Sequence, residues 1–267
     1  MNGEEAATGV LLTVAYDGTP YAGFVEQRSQ RTVAGALRRA LHQLDPTIAP
    51  LRVASRTDTG VHATAQRVAF DTKMRVPPRG WVLGPARHLP PSIAIRAAAK
   101  VPARFQPRFE ARAKTYRYLL HTSPTADPML AHRAWRVPDL HPEPDLGTMR
   151  QELASLHGTH QFDGFRSTRD KREHIERTIT GTAIERLAES PDVLCVEIAG
   201  DGFLHHMVRI VVGTVVDVGR GRLKPGAVSR ALASGDRRDA GITAPPDGLY
   251  LHRVELSNEG DHRWPPR

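Results

Sequence analysis

An arginine, a carboxylate and a glycine stand close together at Arg56, Asp58 and Gly60. The mostly apolar residues 51–54 before them predict a strand, and alternating apolar positions predict another strand over residues 65–70. Glycine and a small polar residue are enough to reverse the chain between two strands. Both charged side chains are therefore available for chemistry. The structural alternative is an aspartate hydrogen-bonded to its own loop beside a solvated arginine.

Periodicity in the first part of the chain predicts the elements that position this loop. Apolar residues form a run over 10–16, and Thr32 precedes a segment with helical spacing. The two strands around Asp58 follow. A short helix then begins at Pro77 and Pro78, and alternation predicts a strand over 93–97. The order is strand, helix, strand, strand, helix, strand, which is typical of a split βαβ or ferredoxin-like arrangement.

The second part of the chain predicts the same order of elements. Strands are expected over 114–121, 178–187, 193–198 and 249–256, and helices over 146–156, over 204–218 and from Pro225 onward. The prediction is an α+β fold with two ferredoxin-like halves, 1–103 and 104–267, related by pseudo-two-fold symmetry. Antiparallel sheets with helices on one face would then border a central basic cleft. The joining stretch is basic, and such a groove suits a folded RNA.

Charge and cysteine content restrict the class of partner and of site. The 267 residues carry a formal net charge of +8, with a pI of about 10.1, which favours an anionic partner such as nucleic acid. The single cysteine, Cys195, excludes an internal disulfide and a cysteine-rich zinc site. Residues 1–8 lack the plan of a signal peptide, and no apolar run is long enough to span a membrane. We expect a cytoplasmic protein.

Residues 56–63, RTDTGVHA, resemble the catalytic loop of the TruA family of tRNA pseudouridine synthases, usually RTDAGVHA. Further stretches resemble motifs of the same family: YDGTPYAGF at 16–24, KTYRY at 114–118, FDGFRS at 162–167, GFLHHMVRIVVG at 202–213 and TAPPDGLYL at 243–251. The resemblance extends from Val10 to Leu256. Phe24, Val25 and Ser55 depart from the usual tryptophan, glutamine and glycine, which leaves the details of substrate choice open.

The resemblance implies an enzyme that isomerises uridine to pseudouridine in the anticodon arm of tRNA, at positions 38 to 40. It also implies a homodimer and a reaction without metal or other cofactor. Asp58 would be the catalytic carboxylate. Whether it attacks the sugar, attacks the base or removes a ribose proton stays open.

The resemblance also implies roles for three further residues. Arg56 would fill the gap left by the flipped base or bind its phosphate, and Tyr116 would stack on the uracil. Arg209 would pair with Asp58 and orient it, although an arginine on an apolar helix can also reach solvent along its own stem. We expect Tyr118 to pack in the core.

Three motifs allow more than one interpretation. The aromatic residues of the opening motif, 16–24, either fold onto the core or contact RNA. The closing motif, 243–251, is expected to shape the cleft wall. The basic run 166–172 is expected to be a loop that contacts the RNA backbone, with a solvated charge run as the alternative.

Two other classes of function are less consistent with the sequence. An RNA-binding module without catalysis would be expected to lose Asp58, Tyr116 or Arg209. A metal-dependent nuclease needs clustered carboxylates and histidines. We expect His205 and His206 to point in different directions along a helix, and His157 with His160 lacks an evident third ligand. A metal site is therefore not expected.

Overall fold

The computed structural model describes residues 7–140 and 144–266 and divides the chain into two compact units. The first unit runs to Arg112 and includes the segment from Leu251 onward; the second is Ala113–Tyr250. Compared with the expected halves, 1–103 and 104–267, the first unit extends further and also contains the C-terminal segment. Residues 1–6 lie outside the described residues. They make up most of the segment that was expected to lack the plan of a signal peptide.

The predicted strands and helices occur in the predicted order. From the N-terminus they are β1 (Thr8–Tyr16), α1 (Val33–Leu41), β2 (Arg52–Val53), β3 (His62–Thr72), α2 (Pro78–Ala86), β4 (Ile93–Val101), α3 (Pro107–Glu110), β5 (Ala111–His121) and β6 (Trp135–Arg136). They continue with α4 (Leu146–Ala154), β7 (Gly158–Gln161), β8 (Glu176–Leu187), β9 (Ser190–Gly200), α5 (Met207–Gly219), α6 (Ala227–Ser234), β10 (Leu249–Leu256) and β11 (Asp261–Trp264). Four of these elements, α3, β6, β7 and β11, are short and lie between or after the predicted ones. The mixed α+β class is confirmed.

The first unit contains an antiparallel sheet built on β1. β1 lies between β3 and β4, β2 pairs with β3, and β11 pairs with the outer side of β4. On the other side of β3, the Thr64 hydroxyl donates to the His252 carbonyl oxygen of β10 (2.9 Å). This contact and the β11–β4 pairing tie the C-terminal segment to the first unit.

Helices α1 and α2 supply apolar faces to the first unit. Thr32 caps α1 as predicted, since its hydroxyl accepts the Gly35 N–H (3.2 Å). Trp81 of α2 packs edge-on against Phe70 of β3, with ring centroids 5.0 Å apart. Residues 66–70 of β3 are all buried, so both faces of this strand are covered. The alternation in the sequence predicts burial of one face only.

The second unit contains an antiparallel sheet in the order β5, β9, β8, β7, with the short β6 parallel to β5. Helix α5 forms as predicted despite its valines, and it is buried on nearly all sides. It begins three residues later than predicted, at Met207. No helix in the described part of the chain combines the length and hydrophobicity needed to cross a membrane.

The start of α6 differs from the prediction because of a contact that is distant in sequence. Pro225 does not occupy the first helical position; Gly226, with φ of +81°, precedes the helix. The buried carboxylate of Glu152 in α4 accepts the backbone N–H groups of Gly226 and Val228, the latter at 2.8 Å. A side chain from another helix therefore satisfies and fixes this N-terminus.

Candidate active site

Asp58 occupies the first position of a tight turn between β2 and β3. The Val61 N–H donates to the Asp58 carbonyl oxygen (3.1 Å), and Gly60 has φ of +78°. A positive φ at the third position of such a turn favours glycine. Asp58 is half-buried and Arg56 is exposed. This backbone hydrogen bond and the glycine conformation therefore fix the backbone of the carboxylate residue.

Thr57 fixes the chain immediately before Asp58. Its side chain is buried, and a hydrogen bond joins its hydroxyl to that of Tyr16 at the end of β1 (2.7 Å). Its carbonyl oxygen accepts the Phe24 N–H (3.1 Å). Because side chain and backbone are both bound, Thr57 has little freedom, and Asp58 is attached to a rigid support.

Two glycines of the opening motif, 16–24, allow its backbone to pack directly against the backbone of the loop that carries Asp58. A Cβ on Gly18 would lie 2.1 Å from the Val61 carbonyl oxygen, and one on Gly23 would lie 2.8 Å from that of Thr57. Gly23 also has φ of +89°. The motif therefore supports the Asp58 loop from one side.

The aromatic side chains of the opening motif belong to the core of the first unit. Tyr16, Tyr21 and Phe24 are buried, and the rings of Tyr16 and Phe24 lie 6.0 Å apart. The Tyr21 hydroxyl is hydrogen-bonded to that of Ser92 (2.7 Å). Of the two interpretations of this motif, the structure therefore supports packing. Phe24, which replaces the family's tryptophan, fills a buried position.

Two polar residues of β3 also support the loop, and the sequence pattern did not assign them this role. The Gln66 side-chain amide donates to the Ser55 carbonyl oxygen (2.7 Å). The buried His62 Nδ1 lies 3.1 Å from the Gly18 backbone nitrogen and 3.3 Å from the Asp17 carboxylate, so this ring contacts the opening motif at two points. An amide inside a predicted strand was the feature that could have indicated Gln66, because a buried amide needs a hydrogen-bond partner.

Tyr116 of β5 is buried in the second unit. It lies opposite Ile198 of β9, and its ring packs edge-on against Phe203 at 5.0 Å between centroids. Phe203 is the second residue of the motif at 202–213, which continues into α5. The described contacts therefore place the Tyr116 ring beside this motif.

Tyr118, two residues further along β5, packs in the core as predicted. It is fully buried, and its hydroxyl donates to the Pro245 carbonyl oxygen (2.6 Å). Burial raises the pKa of Tyr118 well above its usual range, an effect that the positive charge of Arg209 partly opposes. Tyr118 is therefore a neutral structural hydroxyl at any ordinary pH.

Arg209 is the third residue of α5 and is half-buried. Its Nε donates to the Ala244 carbonyl oxygen (2.7 Å), and the Ala244 N–H donates back to the Arg209 carbonyl oxygen (3.0 Å). The closing motif therefore holds the guanidinium group in place. A side chain fixed in this way is pre-organised for a second, charged partner.

His205 and His206 do not lie along a helix, so this expectation was wrong. His206 has φ of +63° and precedes α5, and the two rings lie 3.9 Å apart and tilted by 33°. The left-handed backbone at His206 turns both side chains to the same side. The two adjacent histidine side chains therefore point in similar directions.

The basic run after Phe165 is a loop, as predicted, but part of its charge is bound within the chain. Asp170 accepts the Arg172 Nε–H (2.9 Å) and the His205 N–H (2.8 Å). The hydrogen bond from Arg172 is the main cause that keeps the pKa of Asp170 well below its usual range. Arg169 and Lys171 are exposed and lie on the same loop.

The site residues inferred from sequence occur in both units. The first unit holds Arg56 and Asp58 on one loop, and the second holds Tyr116 and Arg209 on β5 and α5. The first arrangement offers a carboxylate on a rigid turn, which can serve as a base or a nucleophile. The second offers an aromatic ring and a held guanidinium, groups that recognise bases and anions.

Comparison with known proteins assigns the family. Residues 12–110 and 153–256 match the family model described as tRNA pseudouridine synthase. A protein named tRNA pseudouridine synthase A from Acetivibrio thermocellus is 38% identical over 92% of this chain and 98% of its own length. One from Neisseria meningitidis serogroup B is 39% identical over 91% and 90%. This chain belongs to the tRNA pseudouridine synthase family.

The match to the family covers three of the four residues. Arg56, Asp58 and Arg209 lie within the matched ranges, and Tyr116 lies between them. A chain in the crystal structure of a Cbf5-Nop10-Gar1 complex is also similar, at a TM-score of 0.43 and 11% identity, over 92% of this chain and 48% of that one. This chain spans about half of that chain's length, and the likeness is too distant to carry an argument.

Proposed function

We propose that Asp58 is the catalytic carboxylate with which this tRNA pseudouridine synthase isomerises uridine in the anticodon arm, at positions 38 to 40. One observation carries the proposal: the residue at the family's catalytic position stands on a turn held by Thr57 and Gly60. Catalysis needs a carboxylate whose position is fixed before the substrate arrives, and this support provides it.

The reaction conserves all atoms, so it needs no oxidant, reductant or energy source. The bond from N1 to C1′ of the ribose breaks, the uracil turns, and a bond forms between C5 and C1′. The hydrogen on C5 leaves as a proton, and N1 gains one. Asp58 acts on the sugar, on the base or on a ribose proton, and each route requires its negative charge.

Three other residues receive roles in this proposal. Arg56 replaces the flipped base in the stack or binds its phosphate, and its exposed position is consistent with either. Tyr116 stacks on the extruded uracil. Arg209 pairs with Asp58 and keeps it ionised and oriented; the hydrogen bond from its Nε to Ala244 supports a fixed guanidinium.

The finer description of the fold belongs to the same proposal. We propose two ferredoxin-like halves related by pseudo-two-fold symmetry and separated by a basic cleft. In the first unit, the strand order β4, β1, β3, β2 and the chain order strand, helix, strand, strand, helix, strand support a split βαβ arrangement. We also propose that the protein acts in the cytoplasm as a homodimer, as the family resemblance implies.

Tritium release tests the proposed substrate. Transcribed tRNA carrying tritium at uridine C5 should lose label when it is incubated with the protein, because forming the new carbon bond expels that hydrogen. Replacing the uridines at positions 38 to 40 with cytidine, with compensating guanosines opposite the two stem positions, should stop the release. Tritium release that continues from such a tRNA would refute the assignment of positions 38 to 40 as the modified uridines. Binding of unmodified tRNA without any release would favour an RNA-binding module without catalysis.

Tyr116 provides a test that separates base stacking from packing. Tyr116→Phe retains the ring and should keep most of the tRNA affinity and turnover. Tyr116→Ala should reduce turnover by at least about 10²-fold, because a stacked base contributes about 1–3 kcal/mol and its position also governs reaction. Release of tritium and thermal melting should be measured for both variants.

The packing of Tyr116 against Phe203 sets the control for this test. Phe203→Leu removes the edge-on ring contact and leaves Tyr116 in place, so it should cost stability more than turnover. A large fall in the melting temperature of Tyr116→Ala, with normal turnover below that temperature, would assign Tyr116 to the core alone.

A further inference from the structure

Phe109 is exposed to an extent that is unusual for a large aromatic residue. Its side chain belongs to α3 and is 80% accessible to solvent. The other six phenylalanines, all in the described part of the chain, are buried or half-buried. A single exposed apolar side chain is common on protein surfaces, so the support of this ring and the charges beside it decide whether it marks a contact surface.

The segment that precedes Phe109 is bound firmly to the first unit. Arg52 donates to both carboxylate oxygens of Asp71 (2.9 and 2.7 Å), and its Nε donates to the Phe105 carbonyl oxygen (2.8 Å). Asp71 also accepts the Arg104 N–H (2.9 Å). The Phe105 side chain is itself buried. This network fixes the chain on the N-terminal side of α3.

The C-terminal side of α3 is fixed as well. The Phe109 N–H donates to the Gln106 carbonyl oxygen (3.0 Å), and the Glu110 carbonyl oxygen accepts the Ser257 N–H (2.8 Å). The Ser257 hydroxyl donates to the Glu110 carboxylate. The backbone of Phe109 is therefore held at both ends while its ring projects into solvent. A ring presented in this way loses little entropy when it binds a partner.

The sequence neighbours of Phe109 carry more positive than negative charge. Arg104, Arg108 and Arg112 are exposed and stand within five residues of the ring on either side. Glu110, next to the ring, keeps its negative charge because its side-chain partner is the neutral Ser257 hydroxyl. Three arginines therefore stand against one carboxylate in this segment, while Asp71 of β3 is paired with Arg52. An aromatic ring among arginines matches an unpaired base flanked by phosphates, because the base offers a π-face and the phosphates offer negative charge.

We propose that Phe109 stacks on an unpaired base of the tRNA substrate while the flanking arginines contact the adjacent phosphates. This contact is additional to Asp58, Arg56, Tyr116 and Arg209, and it rests on the proposed function for the identity of the RNA. It positions the tRNA and takes no part in the bond changes, so its loss raises the dissociation constant and KM.

Binding of unmodified tRNA by three variants tests the stacking. Phe109→Ala should weaken binding about ten-fold, as expected for one lost base stack, and Phe109→Trp should bind as tightly as wild type. Met129→Ala is the matched control, because Met129 is a 77% exposed apolar residue of the second unit and should leave affinity unchanged. All three should melt at the wild-type temperature.

Salt dependence separates the ring from the charges. The slope of log affinity against log salt should stay the same in Phe109→Ala and should fall by about one in Arg108→Ala, if one phosphate contact is lost. Phe109→Ala should also raise KM for tritium release about ten-fold. Unchanged tRNA affinity of Phe109→Ala, with active wild type, would overturn the proposal.

Oligomeric state and wild-type activity separate a failure of the stacking contact from a failure of the proposed function. A change in the oligomeric state of Phe109→Ala, measured by sedimentation, would show that the ring belongs to an interface between two copies of the chain and would also overturn the proposal. Absence of tritium release from wild type would instead refute the proposed function, whatever the Phe109 variants bind.

Discussion

Replacing Asp58 by asparagine is expected to reduce tritium release at least about 10³-fold while changing tRNA affinity little. Asparagine keeps the size and polarity of aspartate but cannot carry its negative charge, which every proposed route requires. The fold should survive, because Thr57 and Gly60 fix the turn through contacts that do not involve the Asp58 carboxylate. Single-turnover release, filter binding and thermal melting measure the three quantities.

Asp127→Asn is the matched control for the loss of a carboxylate. Asp127 caps a short helical turn in the second unit by accepting the Met129 N–H (2.8 Å), and asparagine is an equally good cap. This variant should keep full turnover. Persistent turnover in Asp58→Asn, at wild-type affinity, would contradict the assignment of the catalytic residue.

Replacing Gly213 by alanine is expected to destabilise the second unit by about 2 kcal/mol or more. A Cβ at this position would lie 1.9 Å from the Ile242 carbonyl oxygen and 3.2 Å from the Ala244 nitrogen. Both are backbone atoms, so α5 or the closing motif must move. The strain exceeds the gain of about 1 kcal/mol in helix propensity. The melting temperature should fall by about 4–8 °C.

The same substitution should impair turnover below the melting temperature. Displacing the closing motif from α5 moves the Ala244 carbonyl oxygen that holds the Arg209 Nε. Gly181→Ala is the control, because a Cβ there would meet only the Ala199 Cβ at an ordinary 3.8 Å. That variant should melt at or slightly above the wild-type temperature. A Gly213→Ala protein with wild-type stability and turnover would contradict the described packing.

Local periodicity predicted the long elements of this fold well. The apolar run of β1 and the cap of α1 at Thr32 appear where the sequence places them, and α5 forms as a buried helix over most of its predicted length. The differences between the predicted and the observed helix starts have causes that local periodicity does not contain. Glu152 of α4 binds the N–H groups that start α6, and no periodicity within residues 225–234 contains that information. Similarly, the conformation of His206 delays the start of α5.

The family motifs identified the candidate site, but not what holds it. Asp58 stood out because a turn does not need a charged pair. The supports of the loop were missed, because the Tyr16–Thr57 and Gln66–Ser55 hydrogen bonds join residues 41 and 11 positions apart in sequence. Core packing of Tyr118 was predicted and is confirmed, but strand alternation could not separate it from Tyr116, which lies two residues away on the same face and is also buried.

The most direct test of the central claim counts product and released hydrogen in one reaction. Wild-type protein and Asp58→Asn are incubated with C5-tritiated tRNA, the tRNA is digested to nucleosides, and pseudouridine is measured against tritium in water. We expect one tritium released for each pseudouridine formed by wild type, and neither product from Asp58→Asn. Pseudouridine formed by Asp58→Asn at the wild-type rate, or none formed by wild type, would contradict the claim that Asp58 carries this isomerisation.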